Sequence, residues 1–176
     1  MERSSSLVLP LITFSLPVTI ILDTILWFII HMGISKIGLI IPDRWFDKPL
    51  PKAINKHSIQ MFVYTNIFFV PKYKKFLPDG GAWFKSGFAK KKLKEKNVTY
   101  YETFLRETRR AEWTHYLQII PVPIFLLFNP INAFYILIIY ALLANMPCIL
   151  VQKYNQIRFT NLLVKIHQRL DNIEVK

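Results

Sequence analysis

The chain predicts an all-α integral membrane fold with about three transmembrane helices. These are an anchor near the N-terminus and a C-terminal helical hairpin, with an interfacial helix and a basic cytoplasmic loop between them. Three observations carry this. Residues 7–30, 113–128 and 131–151 are apolar runs with almost no charge, the pattern that suits bilayer hydrocarbon. The 176 residues are 52% hydrophobic yet carry a formal net charge of +12, at a mean hydropathy of +0.27. The Lys and Arg excess lies between and after the runs, as in membrane proteins whose basic loops stay cytoplasmic. A soluble domain of this length rarely combines these properties. Nucleic acid is therefore set aside as a partner, although the isoelectric point is near 9.9. The length fits one membrane domain over residues 1–176.

Residues 7–30, "LVLPLITFSLPVTIILDTILWFII", hold one charge, Asp23, and are long enough to span. Pro10 and Pro17 would kink such a helix, which membranes tolerate. Met1-Glu2-Arg3 is not a basic leader, and no small-residue cleavage site follows, so the segment reads as a retained anchor. Residues 36–56 are Pro-rich and aromatic, an irregular interfacial loop. Residues 58–70 are apolar but short, which fits a surface-lying or re-entrant helix. Residues 71–112 form the basic cytoplasmic segment, with a turn at Pro78-Asp79-Gly80-Gly81. Residues 99–112 are helical there. Thr99 or Asn97 serves as cap, and Glu102 follows Thr99 at the capping-box spacing. The runs 113–128 and 131–151 are joined by a turn at Asn129-Pro130, which makes them antiparallel neighbours. Residues 153–176 form a basic cytoplasmic tail. With both basic segments inside, the N-terminus lies outside and the protein is a multi-pass cell-membrane protein.

The polar residues next to the hairpin converge. Thr108, Glu112 and His115 share one helix face; Asn145, Cys148, Gln152 and Asn155 share another. For a turn centred at Asn129-Pro130, level partners have numbers summing to about 259. His115 then lies level with Ala144, and Asn145 with Thr114. Glu112, His115, Asn145 and Gln152 fall within one layer on the cytoplasmic side, and polar groups at membrane depth face a cavity or one another. That layer suits general-base chemistry. His115 would take a proton from a hydroxyl, with Glu112 as its orienting carboxylate. Asn145 and Gln152, with Tyr154 and Asn155, would bind substrate or stabilise an oxyanion. Lys85, Arg109, Arg110 and Arg158 would hold the phosphates of an acyl donor. The alternative is an interfacial salt-bridge cluster without chemistry.

Several chemistries are excluded by their missing motifs. Cys148 is the single cysteine, so no internal disulfide forms, and Glu-x-x-His occurs once where di-iron bundles need it twice. No metal is expected. Gly-x-Ser-x-Gly, dinucleotide and P-loop motifs are absent. The His-x4-Asp pattern of glycerolipid acyltransferases is also absent, since His167 is followed by Asp171 one position too early.

The strings "RETRRAEWTHYLQIIPVPIF" and "YALLANMPCILVQKYNQIRFTNLL" closely resemble the glycosyl-4,4'-diaponeurosporenoate acyltransferase family, as do "KFLPDGGAWFKSGFAKKKL" and "IPDRWF". The resemblance covers residues 38–165 in pieces. It implies a small integral membrane enzyme that esterifies a sugar hydroxyl of a carotenoid glycoside with a fatty acyl chain, the last step of staphyloxanthin synthesis. It places Glu107, Arg110, Glu112, His115, Asn145, Gln152, Tyr154, Asn155 and Arg158 in signature strings without assigning their roles. The expected partners are the bilayer, a lipid-linked acceptor and an acyl donor, with a fatty acyl thioester as donor substrate and no bound cofactor. Two other readings stay open: a non-enzymatic scaffold binding a carotenoid or polyprenyl lipid, and a lipid deacylase or hydrolase using the same site.

Overall fold

The computed structural model describes residues 10–51, 57–90 and 93–174. Residues 7–9 of the expected anchor, 52–56 of the interfacial loop, 91–92 of the basic segment and 175–176 of the tail lie outside the described residues. Among the described residues the structure is all helical. Three long helices form the body: α1 (Leu16–Ile40), α4 (Val98–Ile119) and α5 (Ile131–Glu174). Two short ones, α2 (His57–Phe62) and α3 (Val70–Tyr73), lie between the first two. Of these, α1 and α5 are long and apolar enough to cross a membrane.

The anchor helix begins later and runs further than the sequence predicts. Pro17 sits in the first turn of α1, where its fixed φ and missing N–H suit a helix start, so it opens the helix rather than kinking it. The helix then continues past residue 30 to Ile40, because its last turns find a partner in α4. A Cβ on Gly38 would lie 2.6 Å from Thr114 Oγ1, so any other residue there would force the Thr114 side chain or the helices to shift. Arg110 fastens the same end. Its guanidinium donates to Gly38 O (2.9 Å) and Ile41 O (2.6 Å), the carbonyls that a helix leaves unpaired at its C-terminus.

The expected separate helices over 99–112 and 113–128 are one helix followed by a tighter coil. Asn97 is the cap, its Oδ1 accepting from Tyr100 N at 2.7 Å. α4 runs on through the charged stretch to Ile119. Pro121 and Pro123 then stop it, and Val122–Leu127 continues as a 3-10 helix. The expected boundary at residue 152 is likewise absent, for α5 runs unbroken through Pro147 into the tail. Residues 58–70 divide into α2, a π turn at Val63–Ile67 and a left-handed Phe69 (φ 49°) ahead of α3.

The helices run antiparallel in sequence order, α1 against α4 and α4 against α5. Gln118 meets His31 and Ser35 while Arg110 meets Gly38; Phe104 stacks on Phe159 (4.2 Å) while His115 meets Asn145. Two apolar cores result. One holds Trp27, Ile30, Val122, Phe125 and Ala141 near the 128–131 turn, and the other holds Tyr100, Phe104, Leu105, Phe159 and Leu163 at the far end. Near the turn, Asn129 donates to Asp23 at 2.8 Å, tying α1 to the hairpin. On the outer faces of α1 and α5, Leu16, Phe28, Ile136 and Leu143 are each at least 67% exposed, a band of apolar surface that water disfavours.

Candidate active site

Between the two cores lies a cavity of about 750 Å³, bounded by α1, α4, α5 and the loop that follows α3. That volume is within the range of about 300–1,000 Å³ for small-molecule sites. Its polar wall is built from α4 and α5. His115 Nδ1 lies 3.0 Å from Asn145 Oδ1, and Asn145 is fully buried. The amide orientation of Asn145 follows from its other bond. Its Nδ2 donates to Ala141 O at 2.9 Å, and a carbonyl can only accept. Asn145 Oδ1 therefore faces the ring as an acceptor, and His115 Nδ1 must carry the proton. This leaves the lone pair on Nε2, the form that can take a proton from a hydroxyl.

Gln118 extends the layer toward α1. Its Nε2 donates to His31 O (3.2 Å) and Ser35 Oγ (3.0 Å), and its side chain lies against the rings of both His31 and His115. His31 lines the cavity too, packed on Trp27 and Tyr140. Cys148 lines it one turn below Asn145, with Sγ 3.8 Å from Ala144 O.

Of the residues expected at the site, the cavity brings together His115, Asn145, Gln152, Asn155 and Arg110. Glu112 is not the neighbour of the His115 ring. Its carboxylate accepts from Lys153 Nζ and Gln156 Nε2, each at 2.6 Å, so it is turned onto the lower half of α5. The physical reason is charge: a buried carboxylate goes to the cation within reach rather than to a neutral ring that already has an acceptor. Arg110 reaches the cavity wall, but its donors are committed to Gly38 O, Ile41 O, Asp43 and Glu107 (3.1 Å). It is the clamp on α1. Arg109 donates to Phe46 O and Lys48 O outside the cavity. Lys85 and Arg158 are exposed and outside its wall, and Tyr154 lies outside it with its ring under Lys74 Nζ (4.8 Å).

Besides Arg110, the cations that line the cavity among the described residues are Lys74, Lys75 and Lys90. Burial pulls the Lys90 ammonium below its ordinary pKa, with Glu107 and Asp79 working against that; its Nζ donates to Phe88 O at 3.0 Å. Lys74 is lowered by burial and by Arg158. Lys74 and Lys75 follow directly on α3, whereas Lys90 reaches the wall because the loop over residues 79–90 folds tightly on itself. Asp79 Oδ2 accepts from Lys90 N at 2.8 Å, and Cβ atoms on Gly81 or Gly87 would meet backbone oxygens at 2.3 and 2.1 Å. Helical periodicity carries no signal for such a loop. His31 and Gln118 were missed for another reason. Gln118 sits in a run read as membrane span and His31 one residue past another, where the signal was simply a polar residue at or near membrane depth.

Residues 42–165 match a family model described as glycosyl-4,4'-diaponeurosporenoate acyltransferase. Relatives bearing that name include the protein of Staphylococcus aureus strain MRSA252, 34% identical over 147 residues, which are 81% of this chain and 87% of the relative. The protein of strain USA300 matches to the same extent. That of strain Newman is 35% identical over 141 residues, 78% of this chain and 83% of the relative. No solved structure matches the chain. The family match spans the cavity wall from Lys74 to Asn155 and leaves His31 outside it.

Proposed function

Because this chain belongs to the glycosyl-4,4'-diaponeurosporenoate acyltransferase family and is an acyltransferase, we propose that it esterifies a hydroxyl of a lipid-linked sugar, with His115 as the general base. The acceptor is a carotenoid glycoside of the kind in the relatives' name, and the donor is a fatty acyl thioester. The observation that carries the reading is the bond from His115 Nδ1 to Asn145 Oδ1 inside the cavity, since it leaves Nε2 as the basic nitrogen.

In the proposed reaction the sugar oxygen attacks the acyl carbonyl as its proton passes to His115 Nε2. The tetrahedral intermediate collapses, the carbon–sulfur bond breaks, and the imidazolium returns the proton to the leaving thiolate. Asn145 accepts from Nδ1–H throughout and supports the imidazolium, the positioning role an amide can fill beside a histidine base. Gln152 and Asn155, on the next turns of α5, line the cavity where the sugar would sit.

The same reading sets the topology. α1, the upper part of α4 with its 3-10 extension, and α5 would make three crossings, with the N-terminus outside. The basic 71–110 stretch and the tail would face the cytoplasm, putting the site at the cytoplasmic face of the cell membrane. Lipid profiling of a deletion strain tests the function. Loss of one acylated glycolipid with build-up of its unacylated form is expected. Accumulation of an acylated species would instead mean hydrolysis.

A further inference from the structure

Several of the charges near the cavity are internally matched. Arg106 faces Asp43 (3.2 Å) and Asp47 (3.5 Å), Arg110 faces Glu107, and Lys153 faces Glu112. Three cations on one rim break this pattern. Lys74 and Lys75 line the cavity, and Arg158, exposed just outside its wall, is one helical turn past Tyr154, whose ring lies under Lys74 Nζ. Among the described residues no carboxylate pairs with any of the three. Lys74 is partly buried and has Arg158 as its charged neighbour. Lys74 is thus partly withdrawn from water beside the exposed Arg158 and Lys75, and like charge gathered at one edge in this way is stabilised when an anion joins it.

We infer that Lys74, Lys75 and Arg158 form a phosphate-binding rim that seats the phosphorylated end of the acyl donor. The inference rests on the acyltransferase reading of the cavity and adds that the thioester donor carries a phosphorylated arm. Spacing selects among phosphorylated donors. Nine residues of α5 separate Asn145, at the His115 base, from Tyr154, at the rim, a rise of about 14 Å. The phosphate must therefore stand on an arm of about that length from the acyl carbonyl. A coenzyme A-type thioester has such an arm. A glycerophospholipid, whose phosphate is a few bonds from its ester, does not.

The test uses the full chain in dodecyl maltoside micelles, which carry no phosphate. Adenosine 3',5'-bisphosphate and dihexanoylphosphatidylglycerol are titrated separately into wild type, Lys74→Gln, Arg158→Gln and the exposed control Lys96→Gln. Bisphosphate binding should weaken about tenfold in each rim variant and stay unchanged in the control. Lys74→Arg should restore it. With palmitoyl-coenzyme A as donor, the donor KM should rise by a similar factor while kcat and the acceptor KM hold. Equal bisphosphate binding in wild type and rim variants overturns the inference. So does rim-dependent binding of the phosphatidylglycerol alone, which assigns the cations to lipid headgroups. If wild type transfers no acyl group, the acyltransferase chemistry proposed for the cavity fails, and the bisphosphate titration still decides the rim by itself.

Discussion

Asn145→Ala removes the side chain that holds His115 Nδ1. Two bonds end on it, 3.0 Å to His115 Nδ1 and 2.9 Å to Ala141 O. The Ala141 carbonyl keeps its helical partner. The Nδ1–H is left in a buried site with no acceptor, a cost of about 1–3 kcal/mol. That cost falls on the tautomer the reaction needs, so its population, and kcat with it, should drop about 10–100-fold. The His115 base itself is worth about 10²–10⁴. The double variant Asn145→Ala/His115→Ala should therefore be no slower than His115→Ala alone, because the amide acts only through the ring. Asn145→Asp keeps an acceptor facing Nδ1 and should recover most of the rate. The assay is mass-spectrometric product formation in purified protein, normalised to the folded fraction by size-exclusion chromatography. Additive losses in the double variant, or full activity in Asn145→Ala, would refute the orienting role.

Other consequences are separable. Glu112→Ala should lower thermal stability modestly, by about 1 kcal/mol or less because its Lys153 partner is 40% exposed, and leave the kcat of folded protein intact; a loss above about 100-fold would return Glu112 to the chemistry. Gly38→Ala gains about 1 kcal/mol of helix propensity but sets a Cβ 2.6 Å from Thr114 Oγ1, so a net loss of about 1–2 kcal/mol is expected. Thermal unfolding of Gly38→Ala with and without Thr114→Ala checks this, the second change restoring the melting temperature. Lys74 has its pKa lowered by burial and by Arg158, so its charge is lost at lower pH than that of a free lysine. Donor affinity should fall on the alkaline side, and Lys74→Arg, charged throughout, should flatten that limb.

The sequence made the helical hairpin legible because the Asn129-Pro130 turn sets its register. The rule that level partners sum to about 259 put Asn145 within a residue of His115, and the two side chains meet. Helix ends were less legible. Proline marks both starts and stops: Pro17 opens α1, Pro121 ends α4, and Pro147 is carried inside α5. Glu112 was misplaced because i,i+3 spacing to His115 gives proximity along one helix but not the pull of a cation on the next. Lys90 was out of reach because its position depends on the close backbone crossing at Gly81 and Gly87, a tertiary contact with no periodic trace, and Lys74 and Lys75 because they follow a four-residue helix too short to show a period.

In the proposed reaction His115 Nε2 takes the proton from the sugar hydroxyl. Single-turnover transfer by purified, folded His115→Ala under saturating donor and acceptor measures this directly. A rate lowered about 10²–10⁴-fold with substrate binding preserved is expected. A rate above about a hundredth of wild type, with the variant folded and loaded with both substrates, would contradict it.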